Sequence, residues 1–364
     1  MLVREIKDHV FETATYTSID YNWAEKKFEE RFIGVGGCTA VWTKTQTGEI
    51  IIGRNMDLTI SNKPAYIVTT VVPGKYPTTG IAYTFADGPD YEDARANGID
   101  DGFAGILPFL CTDVVNAAGL YIEINMRSSE YYPDGSSKFA CTHTNENASH
   151  RICACVLQQY VGQNCATVEE AVEYIKNDLD LYTPKNSEIA WNFCFMLADA
   201  SGKHGILEIA ENKVVWLEGE SAQANFYLTK DFADKEEYKC GLDRCAQVRK
   251  GVNSVTSNED MLELMKSVTY GQVYTPNPQY DVRTEYAGIE PDWTANFVLD
   301  EANRELVQKR INKNINIVQS STRQELMDIK KYWETTYTTV TNLTQRKMIV
   351  RFFEDDNRIV ELTI

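Results

Sequence analysis

The sequence predicts a layered α+β fold built largely from antiparallel sheets. Apolar residues alternate as in strands near the start, in the middle and at the end of the chain, and stretches with helical spacing lie between these regions. Strands are followed by helices and then by strands again, without a regular β-α-β repeat. With 364 residues, of which 43% are hydrophobic and 11% aromatic, the chain can bury a large core, and we expect one large domain.

The first predicted elements lie on either side of a glycine-rich joint. Residues 19–32, "IDYNWAEKKFEERF", have apolar side chains near helical spacing and predict an amphipathic helix. After "GVGG", the segments "CTAVWTK" (38–44) and "EIIIGRN" (49–55) predict the two strands of a hairpin. If the turn is centred near Gln46, Cys38 lies opposite Arg54 and within cross-strand reach.

The later elements alternate between strands and helices. "GLYIEINMRSS" (119–129) predicts a strand, and residues 148–177 predict a pair of helices, the second of which starts at Thr167 with Glu170 in capping-box spacing. The remaining predicted elements are a three-stranded meander over 192–218, helices near 258–267 and 319–335, and closing strands over 339–364.

Charge and composition exclude several classes of protein. The net charge is −17 and no Lys/Arg-rich tract interrupts it, so nucleic acid and anionic membrane surfaces are poor partners. We identify no signal peptide and no apolar run long enough to span a membrane. The nine cysteines follow no disulfide framework or metal-ligand spacing, so we expect a cytoplasmic protein without a metal or other cofactor.

Cys38 is the strongest candidate for a reactive group, although most cysteines are small core residues. A nearby arginine would lower the pKa of its thiol and raise the thiolate fraction. A cysteine protease would need a histidine base, for which His143 and His150 in "CTHTNENASH" are candidates. Cleavage of the bond before Cys38 would supply another base, because a free α-amino group has a pKa near neutrality.

The segment "CTAVWTKTQTGEIIIGRNMD" (38–57) resembles the N-terminal-nucleophile hydrolases of the choloylglycine hydrolase and penicillin V acylase group and the related acyl-CoA:6-aminopenicillanic acid acyltransferase-like family. The resemblance extends more weakly through "GLYIEIN", "FMLADASGKHGILEI" and "NFYLT" to the C-terminal strands. It implies a four-layer αββα fold. It also implies that residues 1–37 are a propeptide whose removal makes Cys38 the first residue of a hydrolase domain over 38–364.

The resemblance assigns roles to three residues of the hairpin. Cys38 is implied to be the nucleophile, with its freed amino group as the base. Arg54 is implied to lie near the thiol and to orient the acyl group, and Asp57 to hold the α-amino group. Strict strand alternation from Arg54 would turn Asp57 to the opposite face, so we expect a bend after Asn55 that corrects its direction.

Three further residues complete the implied site. Asn125, in "EIN", is similar to the family residue that supplies part of the oxyanion hole, and Arg244, in "GLDRCAQVRK", to a later arginine that organises the site, with Arg249 close enough to be confused with it. A second asparagine is expected in an "LTN" run, but this chain has "LTK". Either Lys230 donates to the oxyanion instead, or nearby Asn225 replaces the missing asparagine.

We therefore expect a hydrolase of linear amides that cleaves a small N-acyl compound through a Cys38 thioester. Transfer of the acyl group to an amine acceptor is the near alternative, and a non-catalytic binding protein of the same fold is another. A Cys–His protease is the third. The identity of the acyl group and of the amine stays open, and so does the formation of a homo-oligomer.

Overall fold

A computed structural model describes the protein over most of its length. All statements about the structure below refer to these described residues: 3–5, 13–16, 36–59, 65–83, 93, 96–97, 101–127, 137–183, 192–236, 241–269, 271–273, 332–352 and 358–364. Among them, no helix is long and apolar enough to cross a membrane.

The described residues contain eighteen β-strands. In chain order they are β1 (Val3–Glu5), β2 (Thr13–Tyr16), β3 (Gly36–Lys44), β4 (Ile50–Thr59), β5 (Ala65–Thr70), β6 (Thr78–Tyr83), β7 (Cys111–Asn116), β8 (Leu120–Arg127), β9 (His150–Cys153), β10 (Leu179–Tyr182), β11 (Asn192–Asp199), β12 (His204–Ala210), β13 (Lys213–Glu218), β14 (Ala222–Gln223), β15 (Gly271–Val273), β16 (Tyr332–Asn342), β17 (Lys347–Phe352) and β18 (Arg358–Thr363).

The described part of the chain also contains six α-helices. They are α1 (Asp101–Ala104), α2 (Leu157–Asn164), α3 (Val168–Asn177), α4 (Lys230–Ala233), α5 (Leu242–Gly251) and α6 (Asn258–Lys266). Two of them have side-chain caps that the sequence explains. Thr167 accepts a hydrogen bond from the backbone N–H of Glu170 at the start of α3, and Ser257 accepts one from Asp260 at the start of α6.

The strands form two large sheets and one small one. The nine-stranded sheet has the order β1-β2-β5-β6-β7-β8-β11-β12-β13. The seven-stranded sheet has the order β14-β3-β4-β16-β17-β18, with β15 added beside β16, and β9 and β10 form a separate pair. Among the described strands, only the β2–β5 and β9–β10 pairings are parallel. The predicted α+β class with largely antiparallel sheets is therefore confirmed.

Three apolar clusters divide the protein into four layers. One cluster joins α2 and α3 to the nine-stranded sheet, through residues such as Leu157 and Val114. Another joins α5 and α6 to the seven-stranded sheet. The third contains Cys38 and Met56 from the seven-stranded sheet together with Tyr121 from the nine-stranded sheet. The two sheets thus pack face to face, with helices outside each, and Cys38 lies in the layer between them.

Strand alternation decides which layer each residue of β4 enters. Ile50, Ile52 and Met56 belong to the cluster between the sheets, whereas Ile51 belongs to the cluster under α5 and α6. Gly53 faces the helices as well. A Cβ atom there would lie 2.6 Å from Sδ of Met261, so the absence of a side chain allows α6 to approach the strand closely.

Several sequence predictions are confirmed by these elements. The hairpin is β3–β4, the strand predicted over 119–129 is β8, and the meander is β11–β13. The helix predicted over 258–267 is α6. The predicted helix pair is α2 and α3, although its first residues form the short strand β9.

The helix predicted over 319–335 is wrong where the structure describes it. Residues 332–335 begin strand β16, because "YWETTYTTV" is rich in aromatic and β-branched residues that favour strands. The first part of this prediction, residues 319–331, and the helix predicted over 19–32 lie outside the described residues.

Candidate active site

Cys38 and Arg54 lie on neighbouring strands, but their register differs from the predicted one. Cys38 is opposite Met56, and Arg54 is opposite Ala40. The loop between β3 and β4 is centred near Thr47 rather than Gln46, so every cross-strand partner shifts by two residues. Because side chains alternate along a strand, a register shift of two residues leaves each side chain on the same face of the sheet. Arg54 therefore still reaches Cys38, diagonally, with Nη2 3.4 Å from Sγ.

The thiol of Cys38 is buried, with only 1% of the residue exposed. Its sulfur lies 3.4 Å from Sδ of Met56. Burial raises the pKa of the thiol from 9.0 to about 12, whereas the charge of Arg54 lowers it. The predicted effect of the arginine is present, but desolvation is larger. In the unbroken chain, Cys38 is therefore a neutral thiol.

Arg54 is held by groups from the opposite sheet that the sequence reasoning missed. Its Nε donates to Oε2 of Glu123 over 2.9 Å, and its Nη1 lies 3.3 Å from Oδ1 of Asp113. Within its own sheet, Nη1 also donates to the hydroxyl oxygen of Tyr337 on β16 over 2.9 Å. The signal in the sequence is a glutamate inside the apolar alternation of "GLYIEIN". A buried charge in such a strand needs a partner of opposite charge.

Asp57 lies on the face of β4 opposite to that of Arg54. It pairs with Gly37 across the hairpin, and its carboxylate accepts hydrogen bonds from Arg244 of α5 and from Oγ1 of Thr335. The predicted bend after Asn55 is therefore wrong. The irregularity is on the partner strand, between Thr335 and Tyr337. Burial raises the pKa of the Asp57 carboxyl, and the charge of Arg244 lowers it.

Asn225 connects this arginine to the nucleophile candidate. The backbone N–H of Cys38 donates to Oδ1 of Asn225 over 2.9 Å. Nη2 of Arg244 donates to the same oxygen over 3.2 Å, and Nδ2 of Asn225 donates to the carbonyl of Met126 over 2.7 Å. Because both ends of the amide are bound, its oxygen is fixed towards the nitrogen of Cys38.

Lys230 does not join this group, which corrects the prediction that put it there. The backbone N–H groups of Leu228 and Thr229 both donate to the buried Glu208, and helix α4 begins immediately afterwards. This turn directs Lys230 outwards. Its side chain is 81% exposed and its ammonium lies 3.0 Å from Asp234. Of the two alternatives drawn from the sequence, Asn225 is the residue next to Cys38.

Two further predicted residues have clear locations. Asn125 is fully buried on β8, two positions after Glu123, and strand alternation puts its side chain on the same face as Glu123, towards the seven-stranded sheet. Its oxyanion role stays a prediction. Arg244 is distinguished from Arg249, because Arg249 binds Glu220 over 2.8 Å whereas Arg244 reaches Asp57.

The histidines considered as bases lie elsewhere. Nδ1 of His143 is 2.7 Å from Oδ2 of Asp180, and His150 begins strand β9. His204 stacks on Trp42 with a ring separation of 3.4 Å. In the described part of the chain, the contacts of Cys38 include no histidine. His9 lies outside that part. Nor do the described residues contain a cluster of three or more His, Cys, Asp or Glu that could hold a metal ion.

Comparisons with known proteins give a family for the chain and solved structures with a similar fold. Residues 38–222, which begin at Cys38, match the family described as linear amide C-N hydrolases, choloylglycine hydrolase family. The structure of penicillin V acylase from Agrobacterium tumefaciens is similar over 90% of this chain and 86% of its own, with 15% identity and a TM-score of 0.51. A variant of conjugated bile acid hydrolase from Clostridium perfringens is similar over 90% and 92%, with 16% identity and a TM-score of 0.46. Curated proteins give no match.

Proposed function

Because this chain belongs to the choloylglycine hydrolase family of linear amide C–N hydrolases, we propose that Cys38 cleaves a small N-acyl compound after the bond before it has been cut. The observation that carries this proposal is that the family match begins at a cysteine whose sulfur contacts a buried arginine and whose nitrogen is bound by a fixed amide oxygen. These two contacts are those that an N-terminal cysteine nucleophile needs.

The unbroken chain is latent in this account. Gly36 and Gly37 pair with Leu58 and Asp57, so the strand continues through the peptide bond that precedes Cys38. In that state the nitrogen of Cys38 is an amide and has no basicity. The thiol is also neutral, because its pKa is about 12. Removal of residues 1–37 would change the amide nitrogen into an amine that can accept a proton near neutral pH.

Once the amine is free, the side chains around it suggest an order of steps. Oδ1 of Asn225 orients the amine, which takes the proton from Sγ of Cys38. The thiolate attacks the amide carbonyl carbon and forms a tetrahedral oxyanion, which the side-chain amide of Asn125 stabilises. The intermediate then collapses to a thioester, and the leaving amine receives the proton from the ammonium group of Cys38.

Hydrolysis of the thioester repeats the same chemistry with water. The amine of Cys38 takes a proton from the water, whose oxygen attacks the thioester carbonyl and releases the acid and the thiol. Arg54 stays beside the sulfur throughout, and a fixed cation favours the thiolate whenever it forms. Asp57 and Arg244 act indirectly, because together they hold the side chain that orients the amine.

The test compares the wild-type protein with Cys38→Ala, which lacks the sulfur required for both cleavage and hydrolysis. Intact-mass measurement of the wild type should give a chain that begins at Cys38, and the alanine variant should keep residues 1–37. A panel of N-acyl amino acids, bile-acid conjugates and phenoxyacetyl amides, assayed for released amine, should give turnover with the wild type alone. Retained hydrolysis in Cys38→Ala would remove Cys38 as the nucleophile.

A further inference from the structure

Arg54 divides its guanidinium between the candidate nucleophile and a buried carboxyl group. Nη2 lies 3.4 Å from Sγ of Cys38, and Nε lies 2.9 Å from Oε2 of Glu123. All three side chains are buried, so water does not screen one from another. A single positive charge thus serves both the sulfur and the carboxyl group.

The third side of the guanidinium is occupied by another carboxylate. Asp113 lies 3.3 Å from Nη1 of Arg54, and its oxygens accept hydrogen bonds from the hydroxyls of Tyr337, over 2.8 Å, and Thr339, over 2.7 Å. Two carboxyl groups therefore face one arginine before the thiol is counted. If both were ionised, a thiolate at Cys38 would be the third negative charge around one positive charge.

The pKa of Glu123 lies near neutrality. Burial raises its pKa from 4.5 to about 7, while Arg54 and a hydrogen bond from Gln223 lower it. The other titratable or charged groups that act on Glu123 come from five strands: Cys38 on β3, Arg54 on β4, Asp113 on β7, Tyr121 on β8 and Cys194 on β11.

We propose that Glu123 is a positioning residue that competes with the sulfur of Cys38 for the charge of Arg54 and so sets how readily the thiol ionises. This inference rests on the proposed role of Cys38 as nucleophile. When Glu123 is protonated, Arg54 is shared between Asp113 and the thiolate. When Glu123 is ionised, a like charge opposes the thiolate through the same guanidinium.

The proposal requires a particular pH dependence of thiol reactivity. Only the thiolate reacts with an alkylating reagent, so the logarithm of the rate rises by one for each pH unit below the pKa of the thiol. Ionisation of Glu123 makes the thiol harder to ionise. The wild-type profile should therefore become shallower than unit slope around pH 7 and return to unit slope above it.

The experiment measures alkylation of Cys38 by iodoacetamide between pH 6 and 9 in the full-length, unprocessed chain, by mass spectrometry of the peptide in which Cys38 is still joined to Gly37. In this state no α-amino group titrates beside the thiol. Glu123→Gln keeps an oxygen for Nε of Arg54 but removes the charge. At pH 8 it should react roughly tenfold faster than the wild type, since one unit of pKa is a factor of ten in thiolate. Its profile should keep unit slope throughout.

Two controls separate charge from loosening of the core. Glu208→Gln changes another buried carboxylate that is paired with a buried arginine, Arg127, but that does not face Cys38, so its Cys38 rate should equal that of the wild type. Cys245 on α5 is buried in the cluster that joins α5 to the seven-stranded sheet. The charged groups that act on its thiol are Arg249, Glu220 and Arg127, so neither substitution changes its ionisation directly. Its alkylation rate should be the same in all three proteins, because a loosened core would raise the rates of Cys38 and Cys245 together.

The proposal is overturned by a rate for Glu123→Gln within twofold of the wild type, by no detectable reaction in that variant, or by a parallel rise at Cys245. If Glu123→Gln does not fold, the wild-type profile decides alone, and a straight line of unit slope from pH 6 to 9 contradicts the proposal. Alkylation requires no turnover. Its outcome is therefore independent of the amide-hydrolysis assay, and failure of the proposed function would be recognised separately.

Discussion

The backbone nitrogen of Cys38 and the side-chain oxygen of Asn225 are joined by a hydrogen bond of 2.9 Å. The two residues are 187 positions apart in the sequence, and the bond crosses from β3 to the segment that follows β14. If the bond before Cys38 is cut, this oxygen is already in contact with the new amine. Asn225 is therefore the first residue to test.

Asn225→Leu should lower kcat by about 100-fold or more, because an amine without its hydrogen-bond partner is a poorly positioned general base. Steady-state kinetics on the processed protein measure this, and KM should change little. Lys230→Ala is the matched control from the same segment. Since its exposed ion pair contributes little, kcat should stay within about twofold of the wild type. A large fall in kcat for Lys230→Ala together with a small one for Asn225→Leu would contradict this and assign the role to Lys230.

The pair formed by Asp57 and Arg244 should be important for stability. Arg244→Met leaves the buried Asp57 carboxylate without its charged partner, so we expect the free energy of unfolding to fall by about 3 to 5 kcal/mol. Urea unfolding of the variant measures this loss. The double variant Asp57→Asn/Arg244→Met should lose less than the sum of the two single variants, because removing both partners leaves no isolated charge.

Arg249→Met provides the control for this prediction. Arg249 is on the same helix, and its ion pair with Glu220 is only partly buried. Its loss should lower the free energy of unfolding by about 1 kcal/mol or less. Equal losses for Arg244→Met and Arg249→Met would mean that the Asp57 pair has no special role.

The raised pKa of Glu123 also predicts how the free energy of unfolding depends on pH. Its pKa in the folded protein is about 7, above the ordinary value of 4.5, so between these pH values the folded state holds a proton that the unfolded state releases. Its contribution to stability is therefore fully present below pH 4.5 and is lost as pH rises to 7. Urea unfolding at pH 5 and pH 8 should show that Glu123→Gln gains stability relative to the wild type at the higher pH. A constant difference between the two proteins would contradict the raised pKa.

Local patterns in the sequence predicted a large part of this arrangement. The hairpin and the face shared by Cys38 and Arg54 follow from strand alternation, which holds for any even shift of register. The register itself depends on the length of the turn, and the five-residue loop moved it by two positions. The same alternation puts Asp57 and Arg54 on opposite faces of β4, as the structure shows. The bend that we expected after Asn55, which would have put them on one face, is absent.

The parts that local patterns did not predict depend on contacts between distant segments. Glu123 and Asp113 reach Arg54 from the other sheet, across 69 and 59 positions of sequence. The short motif "LTK" left Lys230 and Asn225 as open alternatives, because a motif does not show which way its residues turn. The hydrogen bonds from Leu228 and Thr229 to Glu208, which turn Lys230 to the surface, exist only in the folded chain.

The most direct test of the account is to identify the atom that receives the acyl group. Acyl 4-nitrophenyl esters can acylate a nucleophile without any requirement for a particular amine. After acid quench and digestion, mass spectrometry should find one added acyl group, on a peptide whose first residue is Cys38, and none in Cys38→Ala. An acyl group on another residue, or on Cys38 within a chain that still carries residues 1–37, would contradict an N-terminal cysteine nucleophile.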